Sequence, residues 1–208
     1  MRTIFLALLT AFLPLSLAAQ PAYFRVTGVA ANDSLNVRAE PRSSSADIGD
    51  LPAHATGVEV HGTDASGKWG RIIWQEGLGW VSMRFLAPDP VQRVPGTELP
   101  AGLLCAGTEP FWSLQLSASS AAYSDANDLF LSLGLTGTRV AAGRPSFPVQ
   151  VSLSGGGGSA TLLVRPSACS DGMSDRAYPW HVDLLLDAGG IGAYYDGCCH
   201  LPLEAGSQ

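Results

Sequence analysis

The sequence predicts an all-β protein of two small domains. Three observations carry that prediction. Gly (24) and Pro (14) together make 38 of the 208 residues, a density of turn-formers that favours short strands over long helices. Apolar residues come in short runs bounded by Asn, Asp, Gly and Pro, and little of the chain shows helical periodicity. A proline-rich interval at 89–102 divides the runs into two groups. Composition excludes other classes. With 46% hydrophobic and 14% charged residues the chain is no disordered tail protein. A net charge of −6 without a basic run leaves no electrostatic footprint for nucleic acid.

Residues 1–19 read as a secretory signal peptide. Arg2 supplies the positive end, Ile4 to Leu17 the apolar run, and Ser16-Leu17-Ala18-Ala19 the small-residue exit. Pro14 interrupts the run and no basic cluster follows it, so stable membrane insertion after cleavage is not expected. Strands are then expected at Tyr23–Val29, Leu35–Arg38, Asp47–Leu51, Gly57–His61, Trp69–Trp74 and Gly77–Ser82, making a first domain over 20–88. Alternation is clearest in Val58-Glu59-Val60-His61. After a linker at 89–102, a second domain at 103–203 is expected to hold Phe111–Leu116, Ala121–Ser124, Leu129–Leu133, Phe147–Leu153, Ala160–Arg165, Trp180–Leu186 and Ile191–Tyr195. Ser154-Gly155-Gly156-Gly157-Gly158-Ser159 reads as a hairpin loop, since no Lys-Ser/Thr follows to make it a phosphate cradle. Residues 204–208 are left as a tail.

Cys105, Cys169, Cys198 and Cys199 all lie in the second half. In an exported chain an even count reads as structural disulfides. Joining the neighbours Cys198 and Cys199 would close a strained ring, so each is expected to reach a different partner. If Gly197–His200 is a strand, the two side chains leave on opposite faces. Which takes Cys105 and which Cys169 stays open.

Leu35-Asn36-Val37-Arg38-Ala39-Glu40-Pro41, Ile48-Gly49-Asp50-Leu51, Gly67-Lys68-Trp69-Gly70-Arg71-Ile72 and Gly77-Leu78-Gly79-Trp80-Val81-Ser82-Met83-Arg84-Phe85-Leu86 follow one another in the order of the bacterial SH3 (SH3b) domain. Residues 23–87 resemble that family throughout. The resemblance implies a small SH3-like barrel and a module that binds cell wall or peptide. In the second half, Cys105-Ala106-Gly107-Thr108-Glu109-Pro110-Phe111-Trp112, Cys169-Ser170-Asp171-Gly172-Met173-Ser174-Asp175-Arg176 and Gly197-Cys198-Cys199 resemble a family of uncharacterised bacterial envelope proteins. That resemblance implies a periplasmic setting and an architecture around the cysteines, not a reaction. The predicted fold is thus an SH3-like barrel followed by a disulfide-stabilised β-barrel or sandwich.

Catalytic constellations are weak. Cys198-Cys199-His200 brings thiol and imidazole together in sequence, but strand neighbours point apart and the thiols are expected in disulfides. Ala168-Cys169-Ser170-Asp171-Gly172 mimics a nucleophile elbow without the α/β sheet that elbow needs, and reads better as a turn. Asp171, Asp175, His181 and Asp196 lack the spacing of a metal loop. Glu109, beside Phe111 and Trp112, is the one acid in an apolar setting, where burial would raise its pKa. Neither metal nor cofactor is expected. Binding is better supported. Trp69 and Trp74 offer flat apolar faces with an N–H donor, while Arg38, Arg71 and Arg84 suit peptide carboxylates. Trp80 is expected in the core. The expected function is a non-catalytic exported protein contacting peptidoglycan stem peptides or another envelope peptide. The alternatives are an envelope hydrolase with its site near Glu109 or Asp171/Asp175, and a protein-binding accessory or inhibitor-like scaffold.

Overall fold

A computed structural model describes residues 20–203; the expected signal peptide, 1–19, and the expected tail, 204–208, lie outside the described residues. The first barrel is built from β1 (Ala22–Val26), β2 (Ser34–Arg38), β3 (Asp47–Pro52), β4 (Val58–Val60), β5 (Gly62–Thr63), β6 (Trp69–Trp74), β7 (Gly77–Ser82) and β8 (Leu86–Pro88), with one 3₁₀ turn at Met83–Phe85. Its strands form a three-stranded sheet, β4-β1-β8, against a five-stranded one, β3-β2-β7-β6-β5. Val26, Leu35, Val37, Leu51, Val58, Val60, Ile72 and Val81 fill the space between. They are mostly β-branched, and they alternate with outward residues as the pleat requires. Gly79 is obligatory here because a Cβ would sit 2.3 Å from Val37 Cγ1.

The second barrel is a closed meander of eight antiparallel strands. They are β9 (Leu103–Thr108), β10 (Phe111–Leu116), β11 (Ser120–Asp125), β12 (Phe130–Val140), β13 (Val149–Gly155), β14 (Gly158–Cys169), β15 (Tyr178–Ala188) and β16 (Ile191–His200). Closure leaves no free sheet edge. The interior is packed with Leu103, Leu114, Leu116, Leu133, Val149, Val151, Leu162, Val164, Trp180, Val182 and Leu184, the filling expected of a barrel this size. Sequence reading placed the middle strands but not β9, whose Leu103-Leu104 pair breaks the alternation. The glycine tract is the β13–β14 hairpin: Gly155 pairs with Gly158, and Gly156 and Gly157 turn at φ 60° and 84°, as a two-residue hairpin turn demands.

Both disulfides lie in this barrel. Cys105 joins Cys199, and Cys169 joins Cys198. The neighbouring cysteines do reach different partners, because strand alternation sends Cys199 into the core, where it is fully buried beside Cys105, and Cys198 to the other face.

The interval 89–102 contains one isolated bridge, Arg93 with Pro100. Val94 and Leu99 within it are fully buried in the second barrel's core. Residues beyond β16 return the other way: Leu201 packs on the second core and Leu203 on the first. The two barrels are therefore held together at both chain crossings.

Candidate functional site

Pairing in the five-stranded sheet places a row of residues across its outer face. Asp47 pairs with Arg38, Arg38 with Trp80, Trp80 with Arg71, and Arg71 with Gly62. Trp69 pairs with Ser82, one pleat along on the same face and within diagonal reach of Trp80. Val81, fully buried, occupies the core position beside Trp80. Trp80 is half-buried on the outer face, which corrects its expected place in the core: in Gly79-Trp80-Val81 the inward pair is the glycine and the valine. Its register between two arginines is the signal that motif reading missed.

The arginines differ. Arg38 is tied to the carbonyl of Ser45 at 3.2 Å and to Asp47 at 3.5 Å. Arg71 makes no ion pair among the described residues, and its Nε is buried without a partner. Arg84 projects from the 3₁₀ turn with its guanidinium 5.4 Å from the Phe85 ring centroid, outside the row. Trp74 lies on the opposite face of β6 from Trp69 and Arg71. Its Nε1 donates to the Ile48 carbonyl at 3.0 Å, and its ring covers Gly49, where a Cβ would lie 2.3 Å from Cζ2. The sheet thus gathers Trp69, Trp80, Arg38 and Arg71 and leaves out Trp74 and Arg84.

A second polar centre lies where the barrels meet. Glu59 of β4 is 5% exposed. Its Oε1 accepts from Tyr23 Oη at 3.0 Å and from Trp180 Nε1 at 3.1 Å. Its Oε2 accepts from the Leu201 N–H at 3.0 Å. Burial, then the Glu59 carboxylate, push the Tyr23 hydroxyl far above its ordinary pKa, so it remains a donor. The β6–β7 turn is held from the other barrel: Arg176 donates to the Gln75 carbonyl at 2.6 Å and to Glu76 Oε1 at 2.8 Å. Gln75, a non-glycine residue at φ 52°, is fixed in this costly conformation by that contact. A cavity of about 230 Å³ opens at the joint, with Glu59, His61 and His200 at its polar end.

Burial lowers the pKa of His200 below that of a free imidazole. The folded chain therefore binds fewer protons there than the unfolded chain as pH falls below about 6.5. Stability is expected to drop on acidification through that value and to level off below the folded-state pKa. Melting temperatures between pH 8 and 5 check this, and a His200→Phe variant should show a shallower slope.

In the second barrel, Glu109, Asp171 and Asp196 line one cavity of about 370 Å³. Glu109 is exposed there, which corrects its expected apolar burial: the turn between β9 and β10 carries it out to solvent. Asp171 is spent on its own turn. Burial opposes its ionisation, but the N–H groups of Ser174 and Met173 and the hydroxyls of Ser174 and Tyr178 outweigh this and hold its pKa at about 2. The Ser-Asp-Gly segment is thus the hydrogen-bonded turn that its residue types favour. His181 and Asp196 do meet, at 2.6 Å, with Asp183 close by. Arg165 already sits 2.6 Å from Asp183 and supplies the positive charge that a metal would bring.

Among the described residues no helix is long and apolar enough to cross a membrane. The geometry defines an all-β chain whose first barrel presents an aromatic and cationic sheet face. Residues 33–87 match the family model of the bacterial SH3 domain, so the first barrel is a domain of that kind. No curated protein and no solved structure matches the chain.

Proposed function

We propose that this is a non-catalytic exported binding protein whose bacterial SH3 domain takes an extended, carboxylate-bearing envelope peptide, such as a peptidoglycan stem, across the face of Trp69, Trp80, Arg71 and Arg38. The observation that carries this reading is the Arg38–Trp80–Arg71 row. A guanidinium without an acid partner beside an indole offers charge and a stacking surface together. The disulfides and the signal-like start of the sequence support an extracytoplasmic, periplasmic setting. Arg38, already paired, would orient the row and contribute less affinity than Arg71.

Co-sedimentation of the 20–208 chain with purified sacculi tests this. Trp69→Ala and Arg71→Ala are each expected to weaken binding by about tenfold, the scale of losing one stacked or charged contact. Trp74→Ala should instead lower stability, because its ring covers Gly49 and bonds Ile48. If nothing pellets, the reading fails. Release of soluble muropeptides would favour a hydrolase, with the cavity of Glu109, Asp171 and Asp196 as the place to look.

A further inference from the structure

The joint between the barrels holds polar groups that neither fold nor sheet face uses. The His61 side chain is 5% exposed, and both of its ring nitrogens are buried without hydrogen-bond partners. His200 Nδ1 is in the same condition. His61 Nε2 lies 3.7 Å from Glu59 Oε2, beyond hydrogen-bond reach. Glu59 is a buried carboxylate whose three bonded donors, a phenol, an indole and a backbone N–H, are all uncharged. All three residues line the 230 Å³ cavity, together with the apolar Ile72, Ile73, Trp74, Leu201 and Leu203 and the polar Gln75. Arg176 lines the cavity too, but its guanidinium is bonded to Gln75, Glu76 and Tyr178.

We propose that this cavity is a second binding site, for a primary ammonium group on a short apolar stem. The chemistry selects that class. A carboxylate whose bonded donors are all uncharged, beside two imidazoles that each offer one acceptor nitrogen when neutral, presents acceptors and one negative charge, and an ammonium brings three donors and one positive charge. An alcohol brings one donor and no charge, and an anion would meet Glu59 in repulsion. The stem lies against isoleucine and indole, which gain from covering apolar surface. A metal ion is disfavoured because Glu59, His61 and His200 do not form a ligand set of close-set atoms; the described residues place such a set only at His181, Asp183 and Asp196. The site is independent of the sheet face, so the sacculus assay does not bear on it.

The Trp180 indole N–H donates to Glu59 and is therefore a built-in reporter. Titration of the ¹⁵N-labelled 20–208 chain with n-butylamine is expected to shift the Trp180 indole resonance saturably, while 1-butanol and butyrate leave it in place. N-acetyl-lysine amide, added in parallel, separates a free small amine from an amino group carried on a peptide: a shift with both assigns the site to the side-chain amine of a peptide as well. Glu59→Gln removes the charge and should weaken amine binding at least tenfold. Ile73→Trp puts a bulkier side chain in the cavity lining and keeps all three donors to Glu59, and should weaken amine binding at least tenfold. The proposal is overturned by no shift with either amine, by an equal shift with 1-butanol, or by unchanged amine binding in Ile73→Trp. A saturable shift with zinc chloride alone, stronger than with amine, would also overturn it and make the cavity a metal site.

Discussion

Glu59→Ala is expected to cost about 3–5 kcal/mol and to uncouple the two barrels, turning one unfolding transition into two. The estimate follows from what the carboxylate leaves behind. Tyr23 is 7% and Trp180 1% exposed, so neither hydroxyl nor indole N–H has water to turn to. The Leu201 N–H is the third donor. Each buried donor stranded in this way costs about 1–3 kcal/mol, and solvent entering the space vacated by Glu59 recovers part of it. The three donors come from β1, from β15 and from the segment after β16, so one side chain ties both barrels and the chain end. Trp180→Phe is the informative control. It removes one donor and keeps the carboxylate satisfied by the other two, so a loss of about 1–2 kcal/mol is expected. Urea denaturation followed by calorimetry measures both. A loss below about 1 kcal/mol for Glu59→Ala would mean that Arg176 and the Leu203 packing hold the joint without it.

Glu59 also shows where sequence reading stops. The Val58-Glu59-Val60-His61 alternation correctly announces a strand with one apolar and one polar face. In a lone domain the polar face meets water. Here a second barrel covers it, so both side chains are buried, and Glu59 is bonded by Trp180 and Leu201, more than a hundred positions away. Nothing local in the chain records that. Trp80 was misplaced for a related reason, since a tryptophan between Gly79 and Val81 looks like core until the register with Arg38 and Arg71 is known. What is local was legible. The strand runs, the hairpin glycines and the divergence of Cys198 from Cys199 all follow from the period-2 pleat and from turn chemistry. Closure of the second barrel was not, because it depends on β9 meeting β16 across almost the whole domain.

That closure makes the second large prediction. β16 and β9 pair through only Cys198–Ala106, Cys199–Cys105 and His200–Leu104, whereas β15 and β16 pair from Trp180–Cys199 to Ala188–Ile191. The seam is the shortest ladder of the barrel, and Cys105–Cys199 spans it between directly opposed residues. The bond closes a sequence separation of 94, against 29 for Cys169–Cys198. Loop-closure entropy then assigns about 4.5 kcal/mol to the first bond and about 3.5 kcal/mol to the second. Cys105→Ala with Cys199→Ala is expected to lose the larger amount, with a further small cost for the space left around two fully buried residues. Cys169→Ala with Cys198→Ala should lose less, because β14, β15 and β16 stay joined by their long ladders without it. Urea midpoints of the two double variants, measured without reductant, decide the order. If the Cys169–Cys198 variant proves the weaker, the seam is held by core packing, with Trp112 wedged against Gly107 and Gly197, where an added Cβ would lie 2.2 Å and 2.6 Å from the indole. The disulfide would then be a lock on a barrel already closed.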